Sequence, residues 1–471
     1  MRHISIPLLL PLALTGCFMI GPDYQKPTAS IPDAWRFAPA ETVAASDTRW
    51  WEQFGDPRLT QLIEQALLHN KDLQIATATV EEFLGLYSVT RADLFPQSNG
   101  SASYQRQQIS GVTAGALPTP ASDNIQAALN LSWEIDVWGR LRRATEAARA
   151  NLYGQEETRR TVVLTLVTSV ARSYVQLCEL DQRLEIAKRT LVDRREAYRI
   201  ARARFEGELN SSAEVRQAES EVHNTAASVP QLESLVAQKE HELSVLLGHN
   251  PAAVQRGLAL TELHLPSIPA GLPSELLTRR PDIRKAEQDL IAANANIGVA
   301  KAAYFPKFTV TGSFGGASAD FSQLLSGPAG AWNYGLGLAM PLFTAGKIAG
   351  QVKASEAREQ ESLFSYQKTL LQAFQETENA LIDNSKIQEQ VQALNRQVIA
   401  LREYRRLAWL RYNNGLTDYL VVLDAQRNLF NIELALATAQ SNSLQAVINV
   451  YKAFGGSWME KVSKNQETPP S

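Results

Sequence analysis

The sequence predicts an α+β membrane protein in which barrel-type strands alternate with helices far longer than a globular domain is wide, the whole built from two repeats. Three observations carry this reading: an internal duplication, heptad seams on proline-free runs, and four period-two segments of membrane-strand length. LSWEIDVWGR from Leu131 is answered by LAMPLFTAGK at Leu338–Lys347, and RFEGELNSSAEVRQAE from Arg204 by RYNNGLTDYLVVLDAQ from Arg411. Leu247-Gly248 is answered by Phe454-Gly455, and all three pairs are 207 residues apart. Upstream, RADLFPQ at Arg91 matches KAAYFPK at Lys301 at an offset of 210, so the discrepancy falls between Pro96 and Gly139, in a loop. A period this long marks a duplicated half-molecule; a solenoid would repeat every ~20–50 residues.

The N-terminus comes first in the chain and in consequence. Met1-Arg2-His3 is a short basic region, and Ile4 to Leu14 is apolar, too short to span a bilayer and carrying two prolines. It ends in Leu14-Thr15-Gly16-Cys17, a complete lipobox. A plain secretory signal also places small residues before its cleavage site, but the complete pattern favours cleavage of residues 1–16 and acylation of Cys17. Phe18 follows, not the Asp that retains lipoproteins at the inner membrane, so the outer membrane is expected. Three acyl chains anchor firmly where one binds only marginally. Residues 17–55 read as the anchor and an N-terminal segment, with Trp50, Trp51 and Phe54 as packing anchors.

Repeat 1 spans 56–248, a linker 249–273, repeat 2 274–455, and a tail 456–471. Asp56-Pro57 supplies an N-cap and an N1 proline for a helical pattern running to about Leu94, and Pro281 opens its counterpart. Long helices are expected from Arg140 to Phe205 and from Lys347 to Tyr412, each about 100 Å at 1.5 Å per residue. Leu177, Leu180, Leu184, Ala187, Leu191 and then Ile387, Val391, Leu394, Val398, Leu401 follow alternating three- and four-residue spacings, a coiled-coil seam. Each helix turns at a short glycine-containing segment, about 206–212 and 413–418, into a return helix. Pro230 in the first return helix predicts a local kink. Alternating charges such as Arg194-Arg195-Glu196 read as solvated faces.

Strands are expected at about 97–108, 125–136, 307–316 and 332–342. Ile125, Ala127, Leu129, Leu131, Trp133 and Ile135 face one way; Phe308, Val310 and Phe314, and Trp332, Tyr334, Leu336, Leu338 and Met340, do the same. Such segments suit a soluble sheet with one wet face or tilted membrane strands; the lipid anchor and the strand-end aromatics favour the membrane. Four strands cannot close, and open edges in lipid leave orphan amides costing several kcal/mol each. Other copies must complete the wall: two would give eight strands, three twelve, and only the larger leaves a wide aqueous lumen. The loops Ser110 to Asn124 and Gly316 to Ala331 are expected outside the cell.

Other chemistries find little support. A net charge of −3 offers no attraction for nucleic acid. There is no phosphate loop, no Ser/His/Asp or Cys/His arrangement, and His241 and His249 stand apart from any thiol or carboxylate cluster. The chain therefore reads as neither an enzyme nor a cofactor protein, beyond the covalent lipid on Cys17. Cys178, alone in apolar helical surroundings, reads as inert packing.

A lipobox, then Gly21-Pro22-Asp23-Tyr24-Gln25-Lys26-Pro27, Trp50-Trp51 with Phe54 and Asp56-Pro57, Glu134–Arg140 as EIDVWGR, Arg279–Arg284 as RRPDIR, and Arg411-Tyr412, Gly415, Leu420 and Leu423-Asp424-Ala425-Gln426 resemble the outer-membrane-factor lipoproteins. These are the TolC-like exit ducts of resistance–nodulation–division (RND) efflux systems in Gram-negative bacteria. The resemblance covers nearly all of the mature chain. It implies a homotrimer with a twelve-stranded outer-membrane β-barrel, four strands per chain, continued by a periplasmic α-helical coiled-coil barrel. It further implies a periplasmic adaptor and an inner-membrane RND pump as partners, and outer-membrane lipid as surroundings. The family's leucine and aspartate gate rings map onto Leu420 and Asp424, one helical turn apart; read alone, Asp424 would pass for a solvated carboxylate. The first copy has Ala213 and Gln217 there. The tips Gly207, Leu209, Asn210 and Ser211, and Gly415, Leu416 and Thr417, would meet the adaptor. Export of drugs, solvents or other small toxic compounds is the expected role, with protein secretion, metal export or a non-pore scaffold as alternatives. Only four methionines argue against a thioether relay for soft metals.

Overall fold

The computed structural model describes residues 19–37, 43–44, 49–108, 121–209, 211–270 and 272–456. Cys17 and the segment 457–471 lie outside them. The chain divides into two compact units, one drawn from Met1–Thr28, Thr79–Glu156 and Lys285–Gln367, the other from Ala29–Ala78, Glu157–Arg284 and Lys368–Ser471.

The first unit carries an antiparallel sheet of β2 (Gln97–Gln107), β3 (Ser122–Ile135), β5 (Lys307–Ser318) and β6 (Gly330–Ala339), in that order. Directly opposed residues share a face, so the register sorts the side chains. Trp332, Phe314 and Leu129 align; so do Leu336, Val310 and Trp133, and Leu338, Phe308 and Ile135. The alternate rows are Asn333, Ser313, Asn130 and Asn99, then Thr311, Ser132 and Gln97. The sheet thus has one aromatic–aliphatic face and one amide–hydroxyl face, and β2 and β6 are edges without an intrachain partner among the described residues. The expected strands are all present. The last is displaced, ending at Ala339 and not near 342, because Pro341 cannot donate to a ladder.

Glu134–Arg140 shows why a strand gives way to a long helix here. Arg140 forks onto Glu134 at 2.9 and 2.8 Å, and Asp136 accepts from the backbone N–H of Leu141 and Arg142 at 3.1 and 2.9 Å, capping α3 (Arg140–Glu206). The Trp138 indole donates to the Pro306 carbonyl at 2.8 Å and its ring lies 4.9 Å from that of Phe305. Glu134 and Asp136 thus each hold a part of the helix start.

The second unit is helical, and the helical residues 79–92 and 285–302 belong to the first. α1 (Pro57–His69) is capped by Asp56, as the sequence predicts, and Trp50, Trp51 and Phe54 are fully buried in a core with Leu59, Leu62, Val170, Tyr174 and Leu177. The single helix expected as far as Leu94 is in fact two. Asn70 ends α1 in an extended conformation, and its Oδ1 accepts from Leu73 N–H at 3.0 Å to cap α2 (Lys71–Ala92). Its amide also donates to the Leu246 carbonyl at 3.0 Å. The linker carries a short parallel pairing of β1 (Val43–Ala44) with β4 (Pro269–Ala270), and α5 (Leu276–Arg279) and α6 (Pro281–Ala302) follow.

α4 (Ser212–Leu246), α7 (Lys347–Asn413) and α8 (Tyr419–Ala453) complete the set. α3 and α7 are each 67 residues, α4 and α8 each 35, and every boundary repeats at the offset of 207. α2 and α6 repeat at 210. Pro230 lies inside α4, which runs through it unbroken. Leu177, Leu180 and Ala187 are buried, as a seam requires. α3 has one window apolar enough to cross a membrane, but 61% of it is buried within the protein, which accounts for its composition.

Candidate functional site

The functional positions gather where α3 turns into α4 and α7 into α8, all within the second unit. The two turns are the same. In the first, Leu209 N–H donates to the Arg204 carbonyl at 2.8 Å and Glu208 N–H to Phe205 at 3.0 Å; in the second, Leu416 donates to Arg411 at 2.9 Å and Gly415 to Tyr412 at 3.0 Å. This 6→1 and 5→2 pairing closes a helix through one left-handed residue. Glycine is the natural occupant, and Gly415 takes it with φ 70°. In the first tip Glu208, not the neighbouring Gly207, is left-handed, with φ 60°. The turn geometry was conserved through the duplication while its glycine slipped by one position.

Ser211 N-caps α4 by accepting from Glu214 N–H at 3.4 Å, and Asp418 occupies the same place before α8. Leu209 and Leu416, equivalent in the repeats, are 78% and 68% exposed, apolar side chains displayed at both tips. Gly207, Ser211 and Gly415 are exposed and Thr417 is half-buried; Asn210 lies outside the described residues.

Behind the tips, Tyr419, Val422, Leu423 and Ala425 of α8 bury against Ala197 and Ala201 of α3, Ala218 of α4 and Ala408 and Tyr412 of α7. Small alanines on three helices let the fourth approach closely. Since this cluster takes one side of α8, the other side is free. Leu420 and Asp424 stand there together, both exposed and one turn apart, followed by Arg427, Asn428 and Asn431. Ala213 and Gln217 of the first copy are exposed as well. Among the described residues Asp424 has no ion-pair partner in its own chain. Arg427 is turned away, donating through Nε to Glu221 of α4 at 2.7 Å.

That contact opens onto a feature the sequence reading missed. Arg194, expected on a solvated face, is 3% exposed and pairs with Glu221, equally buried, at 2.5 Å. Its guanidinium also lies 5.4 Å from the Phe430 ring centroid and donates to the Glu221 carbonyl at 3.1 Å. Burial pulls the Arg194 pKa below its ordinary value, against the pull of Glu221. A turn further along, Glu433 of α8 receives Arg189 of α3 at 2.7 Å and Arg402 of α7 at 2.8 Å. These residues line a cleft of about 500 Å³ with Asp193, Arg405 and Gln426. Four helices are therefore tied by charge as well as by alanine packing. The spacing does separate Arg194 from the exposed Arg195: three residues after Leu191, Arg194 continues the seam and stands where the second copy has Leu401, and its partner Glu221 lies 27 residues away.

Cys178 is buried, and desolvation first, then Asp181 and Asp56, push its thiol up to about 12, which suits packing rather than reactivity.

A two-faced sheet with open edges, long duplicated hairpins and an exposed Leu420 and Asp424 one turn apart behind one tip define an outer-membrane channel protein. The chain belongs to the outer membrane efflux protein family, whose model matches residues 62–249 and 272–456. It is 37% identical to the toluene efflux pump outer membrane protein TtgC of Pseudomonas putida, over 98% of each chain. It is 33% identical to the cation efflux system protein CusC of Escherichia coli, over 97% of this chain and 99% of the other. Among solved structures it is similar to the outer-membrane channel OprN, with a TM-score of 0.87 and 31% identity over 93% of this chain and 99% of that one.

Proposed function

We propose that three copies of this chain form one continuous duct through the outer membrane, serving as the exit of a tripartite efflux pump for small toxic compounds. The observation that carries this is the sheet: one aromatic–aliphatic face, one amide–hydroxyl face, and two unpartnered edges on β2 and β6. In a bilayer the first face belongs against lipid and the second against water, and the edges demand partners. Twelve strands leave a water-filled lumen where eight would be filled by side chains. Acylated Cys17 anchors each chain. The hairpins extend into the periplasm, where Leu209 and Leu416 offer apolar tips to a periplasmic adaptor that joins the duct to an inner-membrane RND pump. The duct itself performs no chemistry.

Leu420 and Asp424 form the periplasmic gate. Three symmetry copies place an apolar collar beside a ring of carboxylates that repel one another and attract cations. The burial of the opposite side of α8 and the diversion of Arg427 to Glu221 support this, since they leave Asp424 exposed with no paired cation among the described residues of its own chain. The amide–hydroxyl rows of the sheet contain no Met, Cys or His, so neutral and amphiphilic cargo fits better than soft metal ions.

Purified protein in planar bilayers tests the reading. The wild type should give small, rare openings, and Asp424→Ala larger ones with reduced preference for cations. Absence of any conductance from assembled trimers would refute the duct, and unchanged conductance in Asp424→Ala would refute the gate. Deleting the gene and profiling which compounds become inhibitory identifies the cargo.

A further inference from the structure

From Ile20 onward the chain is seated in the fold and does not hang from it as a leash. Ile20 is buried, and its N–H donates to the Trp138 carbonyl at 3.0 Å. Gly21 lies so close to Gly298 of α6 that a Cβ on it would come within 2.5 Å of the Gly298 Cα, and a Cβ on Gly298 within 2.6 Å of the Ile20 carbonyl oxygen. Arg143, only 2% exposed, reaches the Ile20 and Gly21 carbonyls at 3.4 Å each and the Asp23 carboxylate at 2.6 Å, with Glu146 at 2.8 Å on its other side. Further on, Tyr24 and Lys26 both donate to Glu287 of α6, at 3.2 and 2.8 Å. Two glycines give the strap its room, and a buried guanidinium reads its backbone. Of the four groups that Arg143 contacts, three belong to the strap. Without the strap the guanidinium would keep Glu146 alone.

We propose that Arg143 is the positioning residue of the lipid anchor, turning the N-terminal strap into a rigid strut that fixes where the acyl chains enter the bilayer. This rests on the acylation of Cys17 proposed above. Two residues, Phe18 and Met19, separate Cys17 from Ile20, and the three chain steps reach at most about 10 Å. The seat lies at the start of α3, beside Trp138 and only a few residues past the end of β3 at Ile135. An indole beside Phe305 at the foot of the strands is the side-chain type found at membrane–water interfaces. Lipid and barrel are thereby held at one height, and tension on the periplasmic helices is shared between them.

The test uses the full-length lipoprotein carrying Cys178→Ser and a reporter, Ile20→Cys, in outer-membrane vesicles opened to a maleimide. With the seat intact the reporter should react at least tenfold more slowly than a control thiol at Asp320→Cys, on an exposed loop. Asp23→Ala, which alters the strap and leaves the seat untouched, should raise reactivity severalfold. Arg143→Ala and Gly298→Ala should bring it close to the control, with circular dichroism of the strands retained. Incorporation of labelled palmitate, lost in Cys17→Ser, should be equal in all the other variants, since acylation is directed by the lipobox. A reporter as reactive as the control in the otherwise unaltered chain, or one still protected in both Asp23→Ala and Arg143→Ala, overturns the proposal. Failure to incorporate palmitate in the unaltered chain overturns the anchor reading, and the reporter then shows separately whether the strap is seated.

Discussion

Glu208 and Gly415 occupy the same place in the two hairpin tips and share a left-handed backbone, at φ 60° and 70°. The side chain of Glu208 therefore carries a steric cost that Gly415 avoids, about 1 kcal/mol for a residue with a Cβ. Glu208→Gly should strengthen the first tip by about that amount, slowing hydrogen exchange of the Leu209 amide roughly fivefold. Gly415→Ala should weaken the second tip comparably, speeding exchange at Leu416. If Glu208→Gly speeds exchange instead, the carboxylate is stabilising the turn in a way that outweighs its backbone.

The buried pair Arg194–Glu221 makes an asymmetric prediction. Glu221→Ala leaves a buried guanidinium without its carboxylate and Arg427 without its partner. A loss of about 3–5 kcal/mol is expected, the usual result of breaking a buried pair from one side. Replacing both, with Arg194→Met and Glu221→Leu, should be far milder, because an apolar pair of similar volume has no unmet charge. Thermal unfolding followed by circular dichroism separates the two outcomes. Equal losses in the single and double variants would mean that packing, and not charge, holds the four helices there.

Much of this architecture was legible in the chain because the duplication offers two readings of each boundary. The starts of α3 and α7, the return helices and the strand faces all follow from period and offset. What escaped the sequence depended on contacts distant along the chain. Arg194 continues the seam three residues after Leu191 and Arg195 does not, so which of the two is buried was within reach of the spacing, whereas the charged partner Glu221 on a neighbouring helix was not. Asn70 was overlooked for a different reason: its flanking residues sustain a helical pattern, so the break shows only in its own side-chain hydrogen bonds. At the gate, Leu420 and Asp424 could be assigned to one side of α8 by spacing, but which side was free required the alanine cluster that buries the other.

Asn70 closes one helix, opens the next and ties both to the Leu246 carbonyl, all while 3% exposed. Asn70→Ala removes the cap of α2 and leaves that carbonyl without the amide. A loss of about 2 kcal/mol is expected from the cap and the tie together. Asn70→Ser should retain the cap, since a hydroxyl oxygen accepts from an N–H at this position, while losing the amide donor to Leu246. The order of melting temperatures should be wild type, then Asn70→Ser, then Asn70→Ala. Asn70→Ala as stable as the wild type would show that the junction is held by the surrounding apolar core alone.

At the tips, Glu214 of α4 should make the fold sensitive to acid in the less familiar direction. Burial first, and then the nearby Asp418, push its carboxyl above the ordinary value, against the pull of Tyr412 and Arg204. A carboxyl with a raised folded-state pKa binds its proton more tightly folded than unfolded. Between the unfolded value of 4.5 and that raised value the native state holds more protons, so tip stability falls as pH rises through this window and increases as pH drops. Hydrogen exchange at the Leu209 and Leu416 amides, corrected for the intrinsic pH dependence, should therefore show stronger protection at pH 5 than at pH 7. Glu214→Gln, neutral at both, should flatten this dependence and resemble the protonated state throughout. If protection instead weakens on acidification in the wild type, Arg204 and Tyr412 stabilise the carboxylate more than Asp418 and burial disfavour it.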